Sequence, residues 1–541
     1  MKLQKKIITY LGLALVLGCN KTVDEKKTDT IDYYEPTWES LTNHETPKWL
    51  KDGKFGIYTH WGIYCYSGIN GNVTWNSSVA YMDPESTWGR DFERVHGKLT
   101  PEFGYKDLIP KFTGENFNAE EWADLFAKSG AKFAGPVAEH HDGFAMWDTE
   151  YSEWNSAKMG PKRDVVGELG KAIKGKGMKF VTAFHHSANW YFFPTWDKTK
   201  DASNPEYSGL YGPIHEEGDV PNKEYLDEWK GKLVEVVDKY EPDFVWFDFA
   251  LDIIREDYVK DFVAHYYNSG LKRNEEVIIS YKHNDLPTGA GLFDLELGAA
   301  TKLTQYDWIT DTTIDNGPAW GYRSNLEYEP VNNLIDNLVY RVSNNGALLL
   351  NVGPKWDGSI PEKAKEALLG MGEWLKINGE AIYGTRAWSK SGEGPGSEGS
   401  EAEIEVIDDL KDMNEDHEEE ADEDDNEGAD FGSKDIRFTT KGNILYATIL
   451  GWPGESVIIK SLVRHSGEIT GKQAWGYVDL DEDLPGHIGG YYLYPDEIES
   501  ITMLGDGKPL DWELIPAVGL MVKMPETKPC EHAYVLKIVR K

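Results

Sequence analysis

Cysteine is nearly missing from this 541-residue chain, with three in all, at positions 19, 65 and 530. So few cannot build a disulfide framework, and the size of the chain makes one unnecessary. Long apolar runs are also missing. The stretch Ile7–Gly18 is too short to span a bilayer. Positive charge is in deficit, with 56 Lys plus Arg against 93 Asp plus Glu and a net charge of −37. Such a chain repels nucleic acid and anionic lipid, which excludes both as partners. No segment of 20–50 residues repeats, which excludes a solenoid or propeller. Aromatic residues are plentiful, at 20 Trp, 29 Tyr and 19 Phe. They supply core material and are also the residue types that line sugar-binding sites.

The length predicts more than one domain. Lys2, Lys5 and Lys6 precede the short apolar run, which ends in Val16-Leu17-Gly18-Cys19. This reads as a bacterial lipoprotein signal over 1–19, with Cys19 as the acylated N-terminus. A polar tether over 20–32 would follow, giving an exported lipoprotein of the periplasm or cell surface. Across 33–390 helical and strand-like patterns alternate. Helices are expected at 119–129, 164–174, 224–240, 330–343 and 361–377. Strands are expected at 55–58, 133–137, 179–184, 244–249, 277–281 and 347–352. This is the pattern of an α/β fold, a (β/α)8-like, TIM-type barrel, although eight clean strand–helix pairs cannot be counted. Residues 391–432 form an acidic linker or insertion. Within it Asp422, Asp424 and Asn426 imitate an EF-hand loop, but Gly428 comes one position late and Ser433 stands where the acidic ligand belongs. From 433 to 541 short strands separated by turn residues predict a C-terminal antiparallel β-sandwich.

The most informative stretch is Asp243–Leu251, D-F-V-W-F-D-F-A-L, an apolar strand with Asp248 set in its middle. A buried carboxylate is costly unless paired, and a barrel tolerates it best at the C-terminal mouth. Trp246, two residues earlier, faces the same side. A carboxylate beside an indole suits sugar cleavage; equally, Asp248 could cap a helix or pair with a buried Arg or Lys. Other strands end in polar residues too: His60, His140-His141, and His185-His186. Each alone reads more simply as a structural histidine, and their repetition after apolar strands is what points to a site. These histidines with Asp248 also permit a zinc-hydrolase reading. Adjacent strand residues point to opposite faces unless the strand has ended, which weighs against a metal and leaves no cofactor expected.

Four motifs, K-F-G-I-Y-T-H-W-G (54–62), E-H-H-D-G-F-A-M-W-D-T-E-Y-S-E-W-N-S (139–156), G-P-K-R-D-V-V-G-E-L (160–169) and N-N-G-A-L-L-L-N-V-G-P-K-W-D-G-S-I-P (344–361), resemble the α-L-fucosidases of glycoside hydrolase family 29. V-W-F-D (245–248) lies where that family carries its nucleophile. The resemblance implies a retaining exo-hydrolase that needs no cofactor and releases terminal α-L-fucose from fucosylated oligo- or polysaccharides through a covalent bond to Asp248. It implies that His60, His140 and His141 hold sugar hydroxyls and that Trp75, Trp246 and Trp320 form walls, with His185 beside them. Glu296, in F-D-L-E-L, falls about where the family's acid/base glutamate lies, with Asp294 and Asp307 as rivals. Three positions depart from the pattern. Thr74 stands where an acid is common, Lys282 or His283 where an arginine is usual, and His185-His186 where tyrosines are common. These changes bear on linkage and on tolerance of substituted fucose. They keep two alternatives open: a hydrolase of a related sugar (a galactoside or sulfated fucose), and a non-catalytic glycan-binding lipoprotein.

Overall fold

The computed structural model describes residues 33–68, 73–300, 302–317, 319–397, 431–462, 497–516 and 518–541. The signal, the tether, Cys19 and the EF-hand-like residues Asp422, Asp424, Asn426 and Gly428 lie outside the described residues. No helix among those described is long and apolar enough to cross a membrane.

Eight parallel strands close into a barrel: β1 (Phe55–Thr59), β2 (Phe133–Glu139), β3 (Lys179–Phe184), β4 (Phe244–Phe247), β5 (Ile278–Tyr281), β6 (Leu292–Asp294), β7 (Trp308–Thr313) and β8 (Gly346–Val352). Closure runs from β1 to β8, with Phe55 opposite Leu348 and Thr59 opposite Val352. Alternation sorts the side chains. Tyr58, Phe133, Val137, Val181, Phe244, Trp246, Ile278, Ile309 and Leu349 form one buried cluster inside the barrel. Phe55, Ile57, Val245, Phe247 and Ile279 belong to the larger cluster shared with the surrounding helices. The interior is therefore a packed core, and only its upper layer is polar.

The five expected helices are present at Ala119–Lys128, Val165–Gly175, Lys223–Tyr240, Val331–Ser343 and Glu362–Asn378. Asn118, Asp164 and Asn222 cap the first three, each accepting from backbone N–H groups of the opening turn. An unexpected helix, Glu256–Arg273, follows β4 and ends at Asn274 in the left-handed conformation. Strands β6 and β7 were also unexpected, and β5, β6 and β7 succeed one another with no helix between them among the described residues.

The C-terminal unit holds a five-stranded antiparallel sheet in the order β13-β16-β11-β10-β9 and a three-stranded one, β12-β15-β14. These strands are β9 (Arg386–Glu393), β10 (Ile436–Lys441), β11 (Ile444–Ile449), β12 (Ser456–Ile459), β13 (Ile498–Met503), β14 (Trp512–Ile515), β15 (Gly519–Lys523) and β16 (Tyr534–Arg540). Strand β9 lies across the boundary expected at 390 and pairs with β10, so the acidic segment connects two neighbouring strands of one sheet. Buried Arg437 ties this unit to the barrel: it donates to Ser343 Oγ at 2.8 Å and lies 4.3 Å from the Tyr340 ring. Cys65 and Cys530 are both free thiols.

Candidate active site

The polar layer sits where the strands end at the C-terminal mouth. His60 follows β1, His140 and His141 follow β2, His185 follows β3, Asp248 follows β4, Lys282 follows β5 and Glu296 follows β6. Asp311 projects from β7. Together with Trp75, Trp246 and Trp320 these line one open pocket with about 300 Å³ of free space. The nine residues expected to act in catalysis or to hold the sugar all reach it: Asp248, Glu296, His60, Trp75, His140, His141, His185, Trp246 and Trp320.

Asp248 is the hub. One carboxylate oxygen accepts from Lys282 Nζ at 2.9 Å. The other lies 3.0 Å from His185 Nδ1 and 3.2 Å from His141 Nε2. Burial alone would raise this carboxyl, but Lys282, His185 and His141 overturn that and hold it well below the usual range. Of the two sequence readings of Asp248, pairing with a buried cation is therefore real, and the cation belongs to the pocket itself. His283, the other candidate for the arginine position, is exposed.

Lys282 also donates to Glu296 at 2.8 Å and lies 3.7 Å from Asp311. The Asp248 and Glu296 oxygens that it bridges are thus no more than about 5.7 Å apart, the sum of the two bond lengths. Glu296 is the partly exposed member, with a side chain 38% accessible. Its rivals fall elsewhere. Asp294 is buried below the pocket, accepting from Trp246 Nε1 at 2.6 Å and from Asp311 N–H at 3.1 Å. Asp307 precedes β7 at the opposite end of the barrel, 4.0 Å from Lys51. Neither lines the pocket.

The histidines are oriented by their partners. His60 Nδ1 donates to Asn351 Oδ1 at 2.9 Å, while the Asn351 amide donates to Trp320 O at 2.6 Å. His141 Nδ1 donates to His185 O at 2.7 Å. Burial and neighbouring imidazoles hold His60 and His140 well below the ordinary histidine value. Burial likewise brings His185 down to about 4 against the pull of Asp248. Adjacent His140 and His141 do not face opposite ways, because the strand has ended before them, at Glu139. Their rings lie 4.4 Å apart and both line the pocket. His186, by contrast, turns outward against Trp229 and lines a second cavity with Glu139 and Lys232.

Sequence reasoning missed Asn351, Asp311, Tyr58 and Phe249. Asp311 accepts from Tyr58 OH at 2.8 Å, and burial pushes its carboxyl up to about 7 despite Lys282. Asn351 is the lone polar residue in a wholly buried apolar strand, the same signal that singled out Asp248, whereas Asp311 is the one charge in a buried strand that also carries three threonines. Backbone strain marks the rim as well. Ala250, His283, Leu297 and Trp320 are non-glycine residues in the left-handed region, one or two positions after Asp248, Lys282 and Glu296 or in the wall itself.

Two carboxylates converging beneath indole walls at a barrel mouth define a glycoside hydrolase. A family model described as alpha-L-fucosidase matches residues 21–380, and one described as alpha-L-fucosidase C-terminal domain matches residues 429–539. The rat tissue alpha-L-fucosidase is 28% identical over 522 residues, covering 94% of this chain and 93% of its own. The human plasma alpha-L-fucosidase is 29% identical over 526 residues, covering 93% and 92%. Among solved structures, the Thermotoga maritima alpha-fucosidase in complex with fucose is 29% identical with a TM-score of 0.68, covering 94% of this chain and all of its own. The same enzyme has been solved with a mechanism based inhibitor, at 28% identity, a TM-score of 0.68 and the same coverage. The chain belongs to the alpha-L-fucosidase family, glycoside hydrolase family 29.

Proposed function

We propose that this enzyme releases terminal α-L-fucose from fucosylated glycans with retention of configuration. The observation that carries this reading is the convergence of Asp248 and Glu296 on one ammonium. Retaining pairs stand about 5–5.5 Å apart, whereas inverting pairs need about 6.5–9.5 Å to admit a water. In the first step an Asp248 oxygen bonds to the anomeric carbon as the glycosidic C–O bond breaks, and Glu296 gives its proton to the departing oxygen. In the second, Glu296 takes a proton from water, whose oxygen attacks the same carbon and frees the Asp248 carboxylate. Lys282, His185 and His141 keep Asp248 ionised and nucleophilic. His60, His140, His141 and His185 hold sugar hydroxyls, while Trp75, Trp246 and Trp320 cover the C–H faces and the apolar methyl.

The reading is tested by turnover of an aryl α-L-fucoside, followed by a panel of fucosylated glycans. Wild type is expected to hydrolyse the aryl fucoside and Asp248→Ala to lose at least about 10⁴-fold in kcat. Near wild-type turnover by Asp248→Ala refutes the assignment. A second reading, hydrolysis of a sulfated fucose or related sugar, is favoured by uncharged Thr74 in the pocket lining. Preference for a sulfated over a plain fucoside would support it. We also propose that the enzyme is exported and lipid-anchored through Cys19. Radiolabelled palmitate should enter the wild type and not Cys19→Ala.

A further inference from the structure

The pocket holds a second kind of binding potential. Among the described residues, the donor atoms of His60, His140 and His185 all lie within 4.8 Å of one another. We propose that these three imidazoles form a binding site for a borderline divalent cation, with Zn²⁺ as the natural probe, and that the cation and the sugar exclude one another. The metal half stands on the histidine geometry alone; the exclusion half rests on the sugar reading of the pocket given above.

Several observations support a site over a chance crowd. Around a tetrahedral zinc with Zn–N of about 2.0–2.1 Å, three imidazole centroids sit about 5.2 Å apart. Here His60 lies 5.4 Å from His140 and 5.0 Å from His185, while His140 and His185 are 4.3 Å apart. Only that last, nearly parallel pair must move, opening by about 1 Å. Metal-binding histidines usually give their second ring N–H to a carboxylate or carbonyl oxygen, which fixes the tautomer. Two of the three already do. His185 Nδ1 donates to Asp248 at 3.0 Å and His60 Nδ1 donates to the Asn351 amide oxygen at 2.9 Å. The lone pairs of their other nitrogens are thereby turned away from the protein partners. His185 Nε2 and His140 Nδ1 are buried with no protein partner, and all three residues are at most 3% exposed. An imidazole trio suits zinc, nickel or copper and disfavours calcium or magnesium. A second trio, His141, His185 and Asp248, is geometrically close but is already tied together and to Lys282, so it competes poorly. Zinc held by the first trio would fill the space beside Asp248 where a sugar ring must enter. The metal would act as an inhibitor, with no part in the hydrolysis.

Full-length protein, stripped with chelator, is titrated with ZnCl₂ at pH 7.5 by calorimetry, and Co²⁺ is added separately for its visible d–d bands. One tight equivalent is expected in the wild type. It should be absent in His140→Phe and in His185→Phe, each verified as folded by its near-UV circular dichroism. His265→Ala, at the exposed His265–Asp238 pair, should keep it. Saturating L-fucose should abolish the zinc heat and the four-coordinate Co²⁺ bands. In turnover of an aryl fucoside, zinc at ten times its dissociation constant should raise KM about tenfold with kcat unchanged. Absence of the tight equivalent, or its survival in both histidine variants, overturns the metal site and leaves the fucosidase reading intact. An equivalent lost in the variants but indifferent to L-fucose overturns the exclusion, and with it the placement of the sugar in this pocket.

Discussion

Lys282 is the residue whose replacement tests the electrostatics of the site most sharply. It is the cation that meets Asp248, Glu296 and Asp311 together, and it is buried above the Trp246 ring at 4.6 Å. At 2.9 Å, and with an effective dielectric of about 20, the Lys282–Asp248 attraction is about 6 kcal/mol. In Lys282→Met, water entering the gap restores part of this. If a third is lost, about 2 kcal/mol, the Asp248 carboxyl rises by about 1.5 pKa units. The sign is fixed by chemistry. Asp248 must be ionised to attack, so the acidic limb of kcat/KM should move up by about 1.5 pH units. The assay is kcat/KM across pH with an aryl fucoside bearing a good leaving group, which minimises dependence on Glu296. Lys282→Arg keeps the charge and should leave the limb where it is. Removing one partner of a buried ion pair also costs about 3–5 kcal/mol of stability, so the methionine variant should unfold at a lower temperature. An acidic limb of Lys282→Met that coincides with the wild type would refute the reasoning.

Glu296→Ala should lose about 10²–10⁴-fold on a substrate with a poor leaving group and much less on an activated aryl fucoside, with azide restoring turnover. Equal losses on both substrates, with no azide effect, would point away from Glu296 as the acid. Asn351→Leu removes the acceptor for His60 Nδ1 and the donor to Trp320 O, and should cost about 1–3 kcal/mol in kcat/KM. Retention of full activity would show that His60 needs no such support. Far from the pocket, His44 donates from Nε2 to Val277 O at 2.7 Å and receives the Tyr34 hydroxyl at 3.0 Å. Burial holds it down to about 4 against the pull of the Val277 carbonyl and Glu45. The unfolded chain takes up this proton near pH 6.5 and the folded one only near pH 4, so His44's contribution is complete above pH 6.5 and drains away as pH falls toward 4. After allowance for partial exposure, the stability gap between wild type and His44→Phe should narrow by about 1 kcal/mol from pH 7.5 to pH 5. A gap that stays constant in thermal unfolding would contradict this.

The parts legible in the sequence were those where chemistry and periodicity agree. Strands β1, β2, β3, β4 and β8 read as apolar runs because both of their faces are buried. Strand β7, W-I-T-D-T-T, did not, because its inward side carries Asp311 into the polar layer and the remaining threonines mask the apolar signal. Strand β6 is only three residues long, and no helix separates it from β7 among the described residues. Asp294 and Glu296 share one face of one segment, so spacing alone could not say which lay in the core and which in the pocket. That depends on where the strand ends and how the barrel staggers. Asp307 shows the same limit from the other side, since one strand length separates the two mouths. The convergence of His60, His140, His141 and His185 could be anticipated from their positions after strands. That His140 and His141 both turn inward required knowing that β2 stops at Glu139.

The central claim is a covalent bond between Asp248 and the anomeric carbon of fucose. Incubation with a fluorinated fucosyl inactivator, followed by proteolysis and mass spectrometry, tests it directly. The label should appear once per chain, on the peptide spanning Val245–Phe249 and at Asp248 within it. A label on any other carboxylate, or inactivation-free turnover with no adduct on the intact protein, would contradict the account.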